Sequence, residues 1–324
     1  MDRAAATSGA RSFLANVEKV IRGKRWAVEA SGTALFAGGH LLIEDVPGVG
    51  KTMLARAIAR SIRGSFKRVQ ATPDLLPSDV TGTSVYNQRT QDFEFLPGPI
   101  FANVVLIDEI NRTTPRTQSA LLEAMDENAV TTDGVRRPLP DPLFVVATQN
   151  PLEHHGTYPL PEGQLDRFAI AMGMGYVTLE TEREVVRAQL ASHPIEELES
   201  VLTPDEVLGI RKVVRSTHVS DSVLDYALAI TTSTRRHSDL ELGASPRASI
   251  TLVRCAQARA LIQGREFVVP DDIKALAAPA LAHRIMPTAG LRLEQDRRNQ
   301  ILRELVDQTP APVTAAPAPP APPP

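Results

Sequence analysis

The sequence predicts an α/β fold, a layered domain built on a largely parallel sheet, with an all-α domain after it. Three observations predict this. Residues 41–43 are a short apolar run that feeds a glycine-bearing loop and then an Ala- and Leu-rich helix from about Thr52. That order of strand, loop and helix is the context a phosphate-binding turn requires. Residues 104–107 and 143–147 are continuous apolar runs ending in polar residues, as expected of parallel strands buried on both faces. Past Thr178 such runs stop, and helical spacing alone remains.

Taken in order, residues 7–21 carry Phe13, Leu14, Val17, Val20 and Ile21 at helical spacing, and 26–36 form a second helix leading to Gly38 and Gly39. After the first strand, its loop and its helix, 66–70 reads as a strand. Pro77, Ser78 and Asp79 open a short helix. Residues 83–96 alternate polar and bulky side chains about a polar centre at 87–91, the pattern of an inserted β-hairpin. A helix over 115–125 puts Leu121, Leu122 and Met125 on one face, and 131–138 is a second hairpin turning at Asp133 and Gly134. A last strand is expected at 169–172.

The second domain holds helices at 180–190, 204–216, 222–234 and 246–262, another near 270, and a last one at 294–306. Thr203-Pro204 and Ser245-Pro246 each set a capping hydroxyl before a proline at the first helical position. The final fifteen residues contain eight prolines among alanines, a composition that builds no core and favours an extended, disordered tail. The expected division is therefore 1–177, 178–309 and a tail at 310–324.

Bulk properties narrow the function. A chain of 324 residues, 43% apolar, is long enough for two globular domains. A net charge of −3 and an aromatic content of 4% argue against an obligate nucleic-acid partner, since such domains are usually basic or carry stacking surfaces. The single cysteine, Cys255, excludes an internal disulfide and fits a reducing compartment. Its neighbours Leu252, Val253 and Ala256 make it a core residue. No apolar run approaches the roughly 18–20 residues of a membrane span, and the first eleven residues have no signal-peptide core. A cytoplasmic location is the expectation.

The chemistry lies in a few positions. In Pro47-Gly48-Val49-Gly50-Lys51-Thr52-Met53 the glycines let backbone N–H groups converge on an anion at a helix start. Lys51 reaches the outer phosphates and the Thr52 hydroxyl ligates Mg²⁺. Asp45 stands where the usual first glycine would be, and is expected to end the strand and point away from phosphate. Asp108, closing an apolar strand, is placed to hold the Mg²⁺ shell, and Glu109 to polarise a water for attack. Asn150 ends the next strand, where its amide can orient that water. The Asn-Lys-x-Asp motif of a GTPase does not occur. Arg247 sits in the first turn of its helix, a position with no use for a cation, so it is read as reaching an anion through closure of the second domain on nucleotide. His154 and His155 lack further ligands at metal spacing and read as a solvated loop.

These residues stand in stretches that resemble the MoxR family of AAA+ ATPases, within the group carrying an insert in the second helix. The matching stretches include Asp45-Val46-Pro47-Gly48-Val49-Gly50-Lys51-Thr52, Thr72-Pro73-Asp74-Leu75-Leu76-Pro77-Ser78-Asp79, Ile107-Asp108-Glu109-Ile110-Asn111-Arg112, Ala147-Thr148-Gln149-Asn150-Pro151 and Leu165-Asp166-Arg167-Phe168. The resemblance runs from about residue 20 to about 286, tighter in the first domain than in the second. It implies a P-loop AAA+ domain with β-hairpin inserts and an α-helical lid, binding ATP with Mg²⁺. It also implies a homo-oligomeric ring, a hexamer, with ATP between subunits. In that picture Arg167 is similar to the arginine finger that enters the neighbour's site, Asn150 to sensor 1 and Arg247 to sensor 2. Gln70 matches a polar residue that restrains the catalytic glutamate, and 20–28 flanks the adenine. Lys24 stands where relatives commonly have glutamine, whereas Asp45 is a common variant.

The resemblance further implies chaperone-like remodelling or assembly of protein clients, among them proteins with a von Willebrand factor A domain. Two rivals stay open. A nucleic-acid motor is disfavoured by charge and by a first hairpin in which Arg89 is the sole cation. A scaffold that binds ATP with negligible turnover is disfavoured by the presence of both Glu109 and Arg167.

Overall fold

The computed structural model describes residues 1–150, 156–191, 193–288 and 297–312. His154, His155 and the tail from 313 lie outside them. Two helices lead, α1 (Arg3–Glu18) and α2 (Arg25–Ala37). Then come β1 (His40–Glu44), α3 (Lys51–Ser61), β2 (Phe66–Gln70), α4 (Pro77–Thr81), β3 (Gly82–Asn87), β4 (Asp92–Pro97) and β5 (Val104–Asp108). α5 (Pro115–Glu127), β6 (Ala129–Thr132), β7 (Val135–Pro138), β8 (Phe144–Gln149), α6 (Glu162–Leu165) and β9 (Phe168–Met172) complete the α/β part. The remainder is α7 (Leu179–Ala191), α8 (Pro204–Arg215), α9 (Asp221–Thr234), β10 (Leu240–Leu242), α10 (Pro246–Ile262), α11 (Pro270–Leu281), β11 (Met286–Pro287) and α12 (Arg297–Gln308).

The main sheet has five parallel strands in the order β2-β5-β8-β1-β9. All five run the same way, so Glu44, Gln70, Asp108 and Gln149 end at one edge of the sheet, while His40, Phe144 and Phe168 begin at the other. Residues alternate between two buried faces, as the two-residue period of a strand demands. Leu41, Ile43, Leu106 and Val146 face α1, α2 and α3, whereas Leu42, Val105, Ile107 and Val145 face Leu121, Leu122 and Met125 of α5. The first of these cores continues without a break into α8, α10 and α11, because α2 packs on β1 and β9 and also on α8 and α10, α1 packs on α2, α8 and α10, and α11 packs on β9. Cys255 is buried there, and burial pushes its thiol up to about 12.

Both expected hairpins form. β3 and β4 pair antiparallel, and β6 and β7 turn at Asp133 and Gly134, whose φ values of 53° and 74° suit a type I′ turn. The caps form as well. Thr203 Oγ1 accepts from Glu206 N at 3.3 Å while Glu206 Oε2 accepts from Thr203 N at 2.7 Å, and Ser245 Oγ accepts from Ala248 N at 3.1 Å. One strand pairing and one turn of helix are additions to the sequence reading. β10 pairs with β11 among the lid helices, and α6 occupies one turn before β9. Among the described residues no helix is long and apolar enough to cross a membrane.

Candidate functional site

β1 delivers the glycine loop to the C-terminal edge of the sheet. Gly48 and Gly50 take φ values of 85° and 97°, a left-handed region that side chains with a Cβ avoid. Gly50 stands at the N-cap of α3 without a side-chain cap, so the first amides of the helix are available to an anion. Asp45 does turn away from the loop. Its Oδ2 accepts from the backbone N–H groups of Met174 and Gly175, both at 2.6 Å, and Oδ1 from that of Val46 at 2.8 Å. The Asp45 carbonyl accepts from Lys51 Nζ at 2.7 Å. Lys24 Nζ donates to the carbonyls of Val49 and Gly175 at 2.8 and 2.6 Å. Lys24 thus ties the loop to the exit of β9, and burial lowers its pKa against the opposing pull of Asp45.

Across the cleft lie the strand-end carboxylates. Register pairs Gln70 with Asp108 and Ile43 with Thr148, which brings β1, β2, β5 and β8 to one place. Asp108 Oδ2 accepts from Arg68 Nε at 2.6 Å and Oδ1 from Thr148 Oγ1 at 3.4 Å. Glu109 adopts φ 58° and ψ 48°. Its N–H donates to Thr148 Oγ1 at 2.9 Å, and its Oε2 accepts from Gln70 Nε2 at 3.3 Å and Arg112 Nη1 at 2.9 Å. Pro47, Lys51, Thr52, Met53, Asp108 and Glu109 all line a cleft of about 300 Å³. Val49 is buried behind it. Asn150 is buried just past β8, and the residue of that strand that lines the cleft is Thr148.

Arg68 and Thr148 were not singled out from the sequence. Arg68 precedes Gln70 by two residues and therefore shares its strand face, which is the signal that points to it. The donors suit a small hard cation. Asp108 and Thr52 offer carboxylate and hydroxyl oxygens to one cleft, and a guanidinium already neutralises Asp108. Among the described residues no three His, Cys, Asp or Glu side chains cluster as a metal site. An ion here would thus draw further ligands from phosphate and water, as Mg²⁺ does.

The two remaining arginines are elsewhere. Arg167 precedes β9 and Arg247 opens α10, and both reach Asp126 in the last turn of α5. Arg167 Nε donates to Asp126 Oδ2 at 2.6 Å, and Arg247 Nη2 donates to Oδ1. They line a second cleft, of about 200 Å³, with Gly39, His40 and Ala169 at the N-terminal edge of the sheet. Five residues of β1 rising about 3.3 Å each separate that edge from the loop. Arg247 does reach an anion, but in this structure it is a carboxylate of its own chain, at the opposite edge of the sheet from the glycine loop, and not the nucleotide on which closure of the second domain was expected. The reason is packing: Asp166 Oδ2 accepts from Ser245 Oγ at 3.0 Å, and buried Arg284 donates to the carbonyls of Asp166 and Phe168 at 3.1 and 2.6 Å. These contacts pin the start of α10 to the start of β9.

The comparisons agree with this architecture. The profile described as "ATPase family associated with various cellular activities (AAA)" matches residues 40–170, and "AAA lid domain" matches 232–305. The chain is 51% identical over 298 residues to "Uncharacterized protein YeaC" of Bacillus subtilis, covering 92% of this chain and 93% of that protein. It is 38% identical over 281 residues to "Chaperone MoxR1" of Mycobacterium tuberculosis, covering 84% and 74%. A crystal structure of a candidate ATPase from Cytophaga hutchinsonii superposes with a TM-score of 0.89 at 35% identity, over 96% of this chain and 97% of that one. With a parallel-sheet AAA domain, a helical AAA lid after it and relatives of that name along nearly its whole length, the chain belongs to the MoxR family of AAA+ ATPases.

Proposed function

We propose that the chain hydrolyses ATP at sites shared between neighbouring copies of a ring, a hexamer as the family resemblance implies. The cycle remodels or assembles protein complexes in the cytoplasm. One observation carries this reading: the glycine loop and carboxylates occupy one edge of the sheet, and Arg167 and Arg247 the other. A copy built this way holds both halves of a site but not the same one. Residues 1–177 act as the nucleotide-binding unit and 178–309 as its lid.

In this reading Lys51 and the amides of the loop bind the outer phosphates, and Thr52 and Asp108 hold Mg²⁺. The ion, when bound, supplies charge neutralisation at the phosphate oxygens. Glu109 accepts the proton of the attacking water after leaving Gln70 and Arg112, and Asn150 orients that water. Arg167 and Arg247 of the adjoining copy meet the charge that develops on the transferred phosphoryl group. Protein clients suit the first hairpin, where the exposed Tyr86 and Phe93 pair across the strands on one face and the exposed Val85 and Leu96 lie on the other. Exposed apolar side chains of this kind suit protein contacts rather than a phosphate backbone. A relative named as a chaperone points the same way, and by family resemblance the clients include proteins with a von Willebrand factor A domain.

The test is complementation. Lys51→Ala and Arg167→Ala copies are each expected to lose turnover, the latter by about 10³–10⁵-fold with ATP affinity little changed. Mixed, they should regain a part of it, because one copy supplies the loop and the other the arginine. A mixture no more active than its parents overturns the shared site.

A further inference from the structure

We propose that Asp126 is a positioning residue for hydrolysis, a single carboxylate that sets the spacing and direction of both arginines offered to the adjoining copy. This rests on the shared-site reading above. Both oxygens of Asp126 are engaged: Oδ2 accepts from Arg167 Nε at 2.6 Å and from Arg247 Nη1 at 3.4 Å, and Oδ1 accepts from Arg247 Nη2. Two guanidinium groups converging on one cleft repel each other, and each long side chain has many rotamers. A carboxylate between them removes the repulsion and selects one arrangement. Burial acts to raise the Asp126 carboxyl, but the hydrogen bonds from Arg247 and Arg167 outweigh it and hold the group below the usual carboxylate range. It is therefore charged throughout the neutral range.

The geometry is that of a support rather than a block. Arg167 is gripped through Nε, so neither Nη atom is committed to the carboxylate, and Nη1 reaches only the Gly163 carbonyl at 3.5 Å. The Arg167 and Arg247 side chains remain 25% and 51% exposed, open to an incoming oxygen. Two positive charges and one negative leave the trio net positive, so its attraction for phosphate survives the pairing. Asp126 also belongs to α5, whereas Arg167 leads into β9 and Arg247 opens α10. One carboxylate thereby locks three elements at the edge presented to a neighbour.

The variant Asp126→Asn keeps the shape and one acceptor but loses the charge. We expect kcat for ATP in the assembled protein to fall on the order of 10–100-fold, the scale of a displaced catalytic group. Binding of a fluorescent ATP analogue to its own loop and its melting temperature should be unchanged. Mixed with Lys51→Ala copies, Asp126→Asn should regain activity. Mixed with Arg167→Ala copies it should not, since both bring a faulty arginine end. A wild-type kcat overturns the role, and so does recovery with Arg167→Ala, which would place Asp126 in its own chain's reaction. Failure of both mixtures at an unchanged melting temperature overturns it too. If Asp126→Asn melts early, the same mixtures are read with Asp126→Glu, which keeps the charge and moves it by one methylene. Should Lys51→Ala and Arg167→Ala fail to restore each other, the shared site falls first, a result that involves no change at position 126.

Discussion

Glu109 is held in a left-handed backbone conformation, φ 58° and ψ 48°, which costs a residue with a Cβ of order 1–3 kcal/mol. The surroundings impose it: Thr148 Oγ1 takes the Glu109 N–H at 2.9 Å, and the Glu109 carbonyl accepts from Arg112 N at 2.8 Å. The carboxylate is thereby aimed at Gln70 and Arg112 rather than left free, an arrangement that suits a base restrained until it is needed. Gln70→Ala is accordingly expected to raise client-free turnover a few-fold, with nucleotide affinity unchanged. Steady-state phosphate release beside a binding titration measures both, and an unchanged rate removes the restraint. Gln70 was legible in the sequence only through the family resemblance, which matches it to a polar residue that restrains the glutamate. Arg68, 2.6 Å from Asp108, was not singled out: its spacing from Gln70 puts it on the same strand face, but only the pairing of β2 with β5 shows what that face meets.

At the scale of elements, stops and starts were read well where side chains act on their own backbone. Thr203 and Ser245 cap α8 and α10 as their places before a proline promised, and Glu206 adds a reciprocal bond to the Thr203 cap. Thr203→Ala is expected to destabilise the chain by about 1 kcal/mol, lowering the melting temperature by roughly 2–4 °C. Thermal unfolding followed by circular dichroism checks it, and no shift means that α8 is held by packing alone. Elements that depend on distant partners were not legible. β10 and β11 are three and two residues long and meet only through tertiary contact. α6 is a single turn without an apolar period of its own.

For the whole molecule, the feature behind the shared-site proposal is that the glycine loop and the paired arginines stand at opposite edges of one sheet. On that proposal the site is complete only between two copies. Specific ATPase activity should therefore rise with protein concentration and level off where sizing chromatography shows assembly, while ATP binding persists in the lone chain. A specific activity that stays constant down to the monomer excludes the shared site. The lid takes part in this through packing: the core beneath α8, α10 and α11 is continuous with that beneath β1, so the start of α10 is anchored at the arginine edge.

From the sequence alone came the phosphate loop, the carboxylates that end a buried strand, the hairpins and the helix caps, since each depends on residues a few positions apart. Only the tertiary structure decided that Arg167 and Arg247, which lie 41 and 121 positions from Asp126, converge on its carboxylate. Periodicity along a chain reports which face of an element is buried. Which distant side chains that burial brings together is set by how the elements pack, here by α2 lying against the sheet and against α8 and α10 in one core.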